Sequence, residues 1–159
     1  MTENIVKFQT LSDSALKAEI ALKAPPEKVY AAWTEQGRFM KWFAPGSGGH
    51  LQVDQFDPSV GGRYDVTMVF ADGDRARITG TYLELDPPKK IVFTWQWVES
   101  PVLSPETLVT VELVSVETGT HLTLTHERFL SEKSRTEHQE GWGSLLPVLA
   151  SLLTNTEEA

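Results

Sequence analysis

The sequence predicts an α+β fold in which a curved antiparallel sheet wraps around a long C-terminal helix. Three observations lead to this prediction. Apolar and polar residues alternate in one segment at 14–23 and in several more between 51 and 128, as in half-buried strands. Two short stripes of helical period follow the first strand, and a longer one occupies 131–155. The length of 159 residues suits a single domain spanning 1–159.

The first strand and the two short helices are separated by an abrupt change of period. Residues 14–23 alternate as a strand, and Pro25-Pro26 ends it because proline has no amide donor for the ladder. Proline is well tolerated in the first turn of a helix, so we expect a helix here. Gly37 is expected to break it, and a second short helix follows. The residues that define the two helical stripes are Val29, Tyr30, Trp33, Phe39, Trp42 and Phe43.

Six further strands are predicted between the loop at 45–49 and residue 128. Asp72-Gly73 lies between two of them and favours a hairpin turn. Residues 100–105 are expected to form a loop. The strand at 107–116 is almost continuously β-branched, so its inward face is left open. The predicted strands cover 51–55, 62–70, 76–84, 91–97, 107–116 and 120–128.

The C-terminal segment at 131–155 has the pattern of a helix packed by one face. Polar residues lie opposite its apolar stripe. Pro147 removes a backbone donor inside the helix and should kink it near Gly143. The stripe consists of His138, Trp142, Leu145, Leu146, Leu149, Leu152 and Leu153.

A strongly twisted sheet cannot lie flat against one long helix, so this order of elements predicts a gap between them. The two short helices would cover that gap, and the aromatic residues at the inward-facing positions of the strands would line it. Trp33, Trp42 and Trp142 are interpreted first as core, although a core residue can also form a cavity wall. Ligand pockets are mostly apolar with a few polar groups, for which Glu84, His126 and His138 are the candidates. The candidate ligand-binding residues are Trp42, Phe43, Tyr64, Met68, Tyr82, Glu84, Trp95, Trp97, His126, His138, Trp142 and Leu146.

Composition argues against several classes of function. With 22 acidic and 14 basic residues, the formal charge of −8 disfavours binding to nucleic acid or to anionic membranes. The chain has no Cys, and its four His show no metal-binding spacing, so no metal or cofactor is expected. No segment is apolar enough for a membrane span and the N-terminus lacks the pattern of a secretion signal, so a cytoplasmic location is expected. Neither a nucleotide-binding loop at 47–49 nor a hydrolase Gly-x-Ser-x-Gly motif is present.

Several stretches together resemble the activator of heat-shock-protein ATPase homologue-like family, within the START and birch-pollen-allergen superfamily. Their order and spacing cover almost the whole chain. The resemblance implies the helix-grip fold, but superfamily members range from lipid and hormone carriers to cyclases and stimulators of a chaperone ATPase. The matching stretches are APPEKVYAAW (24–33), KWFAP (41–45), GGRY (61–64), GTYLELDPPKKIVFTW (80–95), GTHLTLTHE (119–127) and GW (141–142).

Three hypotheses of function follow. The first is binding of a small hydrophobic or aromatic ligand in the cavity between the sheet and the C-terminal helix. The second is a cyclase or dehydratase that uses Glu84 with His126 or His138 as proton donor and acceptor. The third, implied by the resemblance, is stimulation of a heat-shock-protein ATPase in the stress response. A homodimer is compatible with the sequence, although no residue pattern demands one.

Overall fold

The computed structural model describes residues 5–44, 48–99, 102–103 and 105–154. Over these residues the chain forms nine strands and three helices, in the α+β arrangement that the sequence predicts. In chain order they are β1 (Lys7–Ser12), β2 (Ala15–Leu22), α1 (Pro26–Thr34), α2 (Gln36–Trp42), β3 (His50–Phe56), β4 (Arg63–Val69), β5 (Arg75–Asp86), β6 (Lys90–Glu99), β7 (Val102–Leu103), β8 (Thr107–Val116), β9 (Gly119–Glu127) and α3 (Glu132–Thr154).

The strands form one antiparallel sheet in the order β1-β2-β9-β8-β6-β5-β4-β3, with β7 paired to β6. The first strand after the helices is therefore at the opposite edge from β1. Successive side chains of a strand alternate between the inward and outward faces of the sheet. In β2 and β9 this alternation is uninterrupted, because the two strands pair without a register shift. The inward face of β8, left open above, carries the buried residues Thr107, Val109, Val111 and Leu113.

The curved sheet grips α3, which confirms the helix-grip prediction. The helix runs continuously through Pro147, and its bend near Gly143 stays a prediction. Most of the predicted stripe is buried, together with the side chain of Arg135, whereas His138 and Leu152 are half-buried. The buried apolar residues of α3 are Trp142, Leu145, Leu146, Leu149, Ala150 and Leu153.

Three expectations about element boundaries were wrong. Lys7–Ser12 is an edge strand that the sequence did not predict, and Val102–Leu103 forms a short strand where a loop was expected. Gly37 does not break the first helix, because the break is at Glu35, whose backbone is extended (φ −105°, ψ 123°), and Gly37 lies inside α2. Of the loops expected at 45–49 and 100–105, residues 45–47, 100–101 and 104 lie outside the described part of the chain.

The prediction that Glu84 faces inward was also wrong. The register of β5 with β6 shifts between Tyr82 and Glu84, which is a β-bulge. A bulge inserts an extra residue and so reverses the parity of the side chains that follow. The Glu84 side chain is 52% exposed and its carboxylate lies 3.7 Å from Lys90 Nζ. It belongs to the solvated surface.

Candidate functional site

A cavity of about 880 Å³ lies between the sheet and one side of α3. The sheet contributes residues from β4, β5, β6 and β8, and the helix contributes residues over more than three turns. The sheet side and its flanking segments supply Ala44, Met68, Phe70, Ala76, Trp95, Trp97, Pro105, Thr107 and Leu130. The helix supplies Ser134, Glu137, His138, Gly141, Trp142, Ser144, Leu145 and Val148.

Three tryptophans give this cavity an aromatic wall. The ring centroids of Trp95 and Trp97 are 5.7 Å apart, with the rings edge to face, and those of Trp95 and Trp142 are 5.2 Å apart. Such contacts hold large rings in fixed orientations. The indole N–H of Trp95 is buried and has no hydrogen-bond partner among the described residues. The wall is therefore built from large rings that pack against one another.

The cavity opens to solvent between apolar side chains. Leu130 is 80% exposed, Val148 43% and Phe70 39%, and all three line the cavity. Single exposed apolar residues are common on protein surfaces, but a set around one opening is typical of a ligand-binding site.

His126 stands behind this wall, completely buried on β9. Its Nδ1 accepts a hydrogen bond from the indole N–H of Trp142 (3.0 Å), so the proton of the neutral ring is on Nε2. That nitrogen donates to the Thr107 hydroxyl (2.7 Å), which in turn donates to the Trp95 carbonyl (2.9 Å). Both ring nitrogens are therefore engaged by the protein.

His138 lies on α3 and lines the cavity. Both of its ring nitrogens are also hydrogen-bonded to protein groups. The indole N–H of Trp97 donates to its Nε2 (2.7 Å), and its Nδ1 donates to the Ser134 carbonyl one turn earlier (2.8 Å). The two imidazole rings meet as the sequence suggested, with centroids 4.9 Å apart. Together the four bonds lock both tautomers and the orientations of two tryptophans in the wall.

Burial keeps both histidines neutral. It lowers the pKa of His126 well below the ordinary value of 6.5, and the neighbouring His138 lowers that pKa further. Burial also lowers the pKa of His138, although its hydrogen bond to Ser134 and the charge of Glu137 oppose this shift. Since neither ring has an unengaged nitrogen, neither is poised to exchange a proton with a ligand.

The structure divides the twelve sequence-predicted site residues into four groups. Met68, Trp95, Trp97, His138 and Trp142 line the cavity, His126 supports the wall from behind, and Glu84 lies outside. The remaining five are buried in the packed core and do not line this cavity: Trp42, Phe43, Tyr64, Tyr82 and Leu146.

Tyr64 illustrates why an inward aromatic residue can miss the cavity. Its hydroxyl donates to the Thr94 carbonyl (2.6 Å), and its ring lies over Gly80, where a side chain would overlap with it. Its ring also packs on those of Tyr82 and Phe93, with centroids 5.6 and 5.8 Å away. This end of the sheet is filled by its own aromatic residues.

On the helix side of the cavity, sequence reasoning predicted His138 and Trp142 but missed the other lining residues. Ser134, His138, Gly141, Leu145 and Val148 follow one another at intervals of three or four residues, so they share a face of α3. That face shares His138 and Leu145 with the predicted apolar stripe and adds the small residues Ser134 and Gly141. Small residues at helical spacing along the edge of the stripe were the available signal.

Two classes of site find no support among the described residues. None of their His, Asp and Glu side chains form a group of three that could hold a metal ion. No helix in the same part of the chain is long and apolar enough to cross a membrane.

The fold and the cavity define a class of protein, namely helix-grip proteins with an internal pocket between the sheet and the C-terminal helix. The chain belongs to the family described as activator of Hsp90 ATPase homolog 1-like protein, whose model matches residues 23–154. None of the functionally curated proteins compared with the chain matches it significantly.

Solved structures from bacteria show the same fold. A crystal structure of a protein from Chromobacterium violaceum is 28% identical, with a TM-score of 0.79, over 88% of this chain and 97% of that one. The AHSA1 protein from Silicibacter pomeroyi is 26% identical, with a TM-score of 0.80, over 89% and 98% of the two chains. A protein from Mycobacterium smegmatis is 19% identical, with a TM-score of 0.80, over 96% and 97%.

Proposed function

We propose that the protein binds a small, largely apolar ligand with an aromatic or similarly flat body in the cavity between the sheet and α3. The observation that carries this proposal is the cavity of about 880 Å³ with Trp95, Trp97 and Trp142 in its wall. Its volume falls within the range of about 300–1,000 Å³ typical of ligand pockets, and its lining combines apolar surface with few polar groups.

Binding is favoured over acid–base catalysis by the way the polar groups are used. A general acid or base needs a ring nitrogen or carboxyl within hydrogen-bond reach of the reacting atoms. Both nitrogens of His126 and of His138 are already bonded to protein groups, and Glu84 is on the solvated surface. The two histidines therefore support the wall rather than face a substrate.

The direct test is a thermal-shift screen of flat aromatic compounds, followed by calorimetric titration of those that stabilise the protein. A ligand that binds only the folded state raises the free energy of unfolding by about 2.7 kcal/mol at a hundredfold excess over its Kd. Absence of any stabilisation across neutral, cationic and anionic aromatic compounds would contradict the proposal.

Gly141 offers a variant that fills the cavity without disturbing the core. It lines the cavity in α3, and a Cβ built on it meets no atom within 4 Å. We expect Gly141→Phe to weaken ligand binding about tenfold or more, because the added ring takes up space that the ligand would occupy. Forcing extra volume into a filled site costs about 1–3 kcal/mol. Stability should hold or rise slightly, since glycine is the poorer helix former. Titration and urea unfolding measure the two effects.

Gly37→Phe is the matched control for this variant. Gly37 is also an exposed glycine inside a helix, and a Cβ there also meets no atom within 4 Å, but it does not line the cavity. Ligand affinity should be unchanged in Gly37→Phe. Equal weakening in both variants, or full affinity in Gly141→Phe, would show that the ligand binds elsewhere.

A further inference from the structure

The residues that line the cavity carry very little formal charge, and what they carry is negative. Among the lining residues that the structure describes, Glu137 is the one acidic residue and none is a lysine or arginine. The chain as a whole has a net charge of −8, so the surrounding field has the same sign. An anionic ligand entering this cavity would find no cation to pair with in the described part of its lining.

Glu137 is placed at the open side of the cavity. It is exposed on α3, directly before His138, and it is one of the residues that line the cavity. No described lysine or arginine lies within ion-pair distance of it, although Lys133 is one turn earlier on the same helix. Its carboxylate is available to an incoming cation.

The tryptophans of the cavity wall also favour a positively charged ligand. The face of an indole ring is electrically negative and attracts ammonium groups, with tryptophan the strongest of the aromatic side chains. Trp95, Trp97 and Trp142 all line the cavity. Three tryptophans and one carboxylate in the same lining suit an organic cation better than a neutral or anionic molecule of equal size.

We propose that the cavity selects a hydrophobic organic cation, an amine or quaternary ammonium compound whose apolar body lies against the three tryptophans while its charged group approaches Glu137. This inference rests on the proposed binding function and specifies the ligand class of that same cavity. Glu137 is then the residue that determines charge selectivity.

The experiment compares three probes of one shape and different charge by calorimetric titration: naphthylethylamine, naphthylethanol and naphthylacetate. We expect the amine to bind most tightly and the carboxylate most weakly. In Glu137→Gln the affinity for the amine should fall about twofold to fivefold, the value of a solvent-exposed ion pair, while the affinity for the alcohol stays unchanged. Added salt should reduce the preference for the amine in the wild type.

Glu140→Gln is the matched control, since Glu140 is an exposed carboxylate on the same helix that does not line the cavity. It changes the net charge by the same amount and should leave all three affinities unchanged. Equal or weaker binding of the amine relative to the alcohol would overturn the charge selectivity and leave the binding function standing. An equal loss in both variants would assign the preference to net charge and overturn the role of Glu137. No binding of any probe would overturn both proposals.

Discussion

The buried His126 has a fixed protonation state because its neighbours leave it no alternative. Trp142 donates to one of its nitrogens, and an indole cannot accept. Protonating that nitrogen would place two donors against each other in a buried site. His138 has the same relation to Trp97. At the residue scale, the two histidines therefore act as hydrogen-bonding supports for the tryptophans of the cavity wall.

Thr107→Val tests this network at its buried end. The change keeps the shape of the side chain but removes the hydroxyl that accepts from His126 and donates to the Trp95 carbonyl. A buried donor left unpaired costs about 1–3 kcal/mol, so the free energy of unfolding should fall by that amount in urea titration. Thr110→Val on the outward face of the same strand is the control and should change stability by less than about 0.5 kcal/mol. Equal effects would contradict the network.

The lowered histidine pKa values predict a loss of stability in mild acid. The unfolded chain takes up protons as the pH falls through 6.5, while the folded state keeps His126 neutral and protonates His138 only at lower pH, so unfolding becomes more favourable. Each ring that stays neutral should contribute a loss of about 1.3 kcal/mol between about pH 7 and 5.5. In His126→Asn the loss over this interval should be smaller by about 1 kcal/mol, measured by urea unfolding across the pH range. An unchanged slope would contradict the account.

At the element scale, α3 has two neighbouring faces with different surroundings. One face is buried against the sheet, and the other borders the cavity. The N-terminal half is anchored by Arg135, whose buried guanidinium donates to the Ser12 carbonyl at the β1–β2 turn (2.9 Å) and lies 3.7 Å from Glu132. This contact holds the helix at the sheet edge farthest from β3, while the cavity separates it from β4 and β5.

Arg135→Met tests the anchor. It keeps an apolar stem but removes the hydrogen bond to Ser12 and the ion pairs with Asp13 and Glu132. We expect a loss of about 1–2 kcal/mol in the free energy of unfolding, since hydrogen bonds from charged groups are worth about 1.5–3 kcal/mol and the partners here are partly solvated. Lys133→Met, on the exposed face of the same helix, should change stability by less than about 0.5 kcal/mol. Equal stability of the two variants would contradict an anchoring role.

The sequence predicted most elements because one face of each is buried. β2 and β9 alternate cleanly, and so their positions and inward faces could be read directly. Lys7–Ser12 was missed because almost all of this edge strand is exposed, which leaves no hydrophobic period. The error at Glu84 has a different cause, because a bulge depends on the pairing with β6 and has no signature in the strand's own residues.

At the scale of the whole molecule, the cavity exists because the two ends of the sheet are filled differently. Around Tyr64, aromatic rings from the short helices and the sheet pack against one another, as in the 4.7 Å contact of Trp33 with Trp42. Toward Trp97 the helix presents small residues, including Gly141 and Ser144, and space remains. The sequence predicted a gap but not its position, because position depends on which large residues meet across the core.

Membership of the family leaves more possible functions open than the cavity does. The family is named for an activator of a chaperone ATPase, and the corresponding hypothesis for this chain stays a prediction, as does a homodimer. The two hypotheses can be separated by measuring chaperone ATPase stimulation with the wild type and with Gly141→Phe. The substitution should affect only a function that uses the cavity.

The central claim, that the cavity is the ligand site, is tested most directly by following the five indole N–H signals in nitrogen–proton NMR during titration with naphthylethanol. The signals are assigned by single Trp→Phe substitutions. We expect the largest shifts at Trp95, Trp97 and Trp142, which line the cavity, and the smallest at Trp42, which is buried in the packed core. Unshifted indole signals under saturating ligand, or shifts centred on Trp42, would contradict the claim.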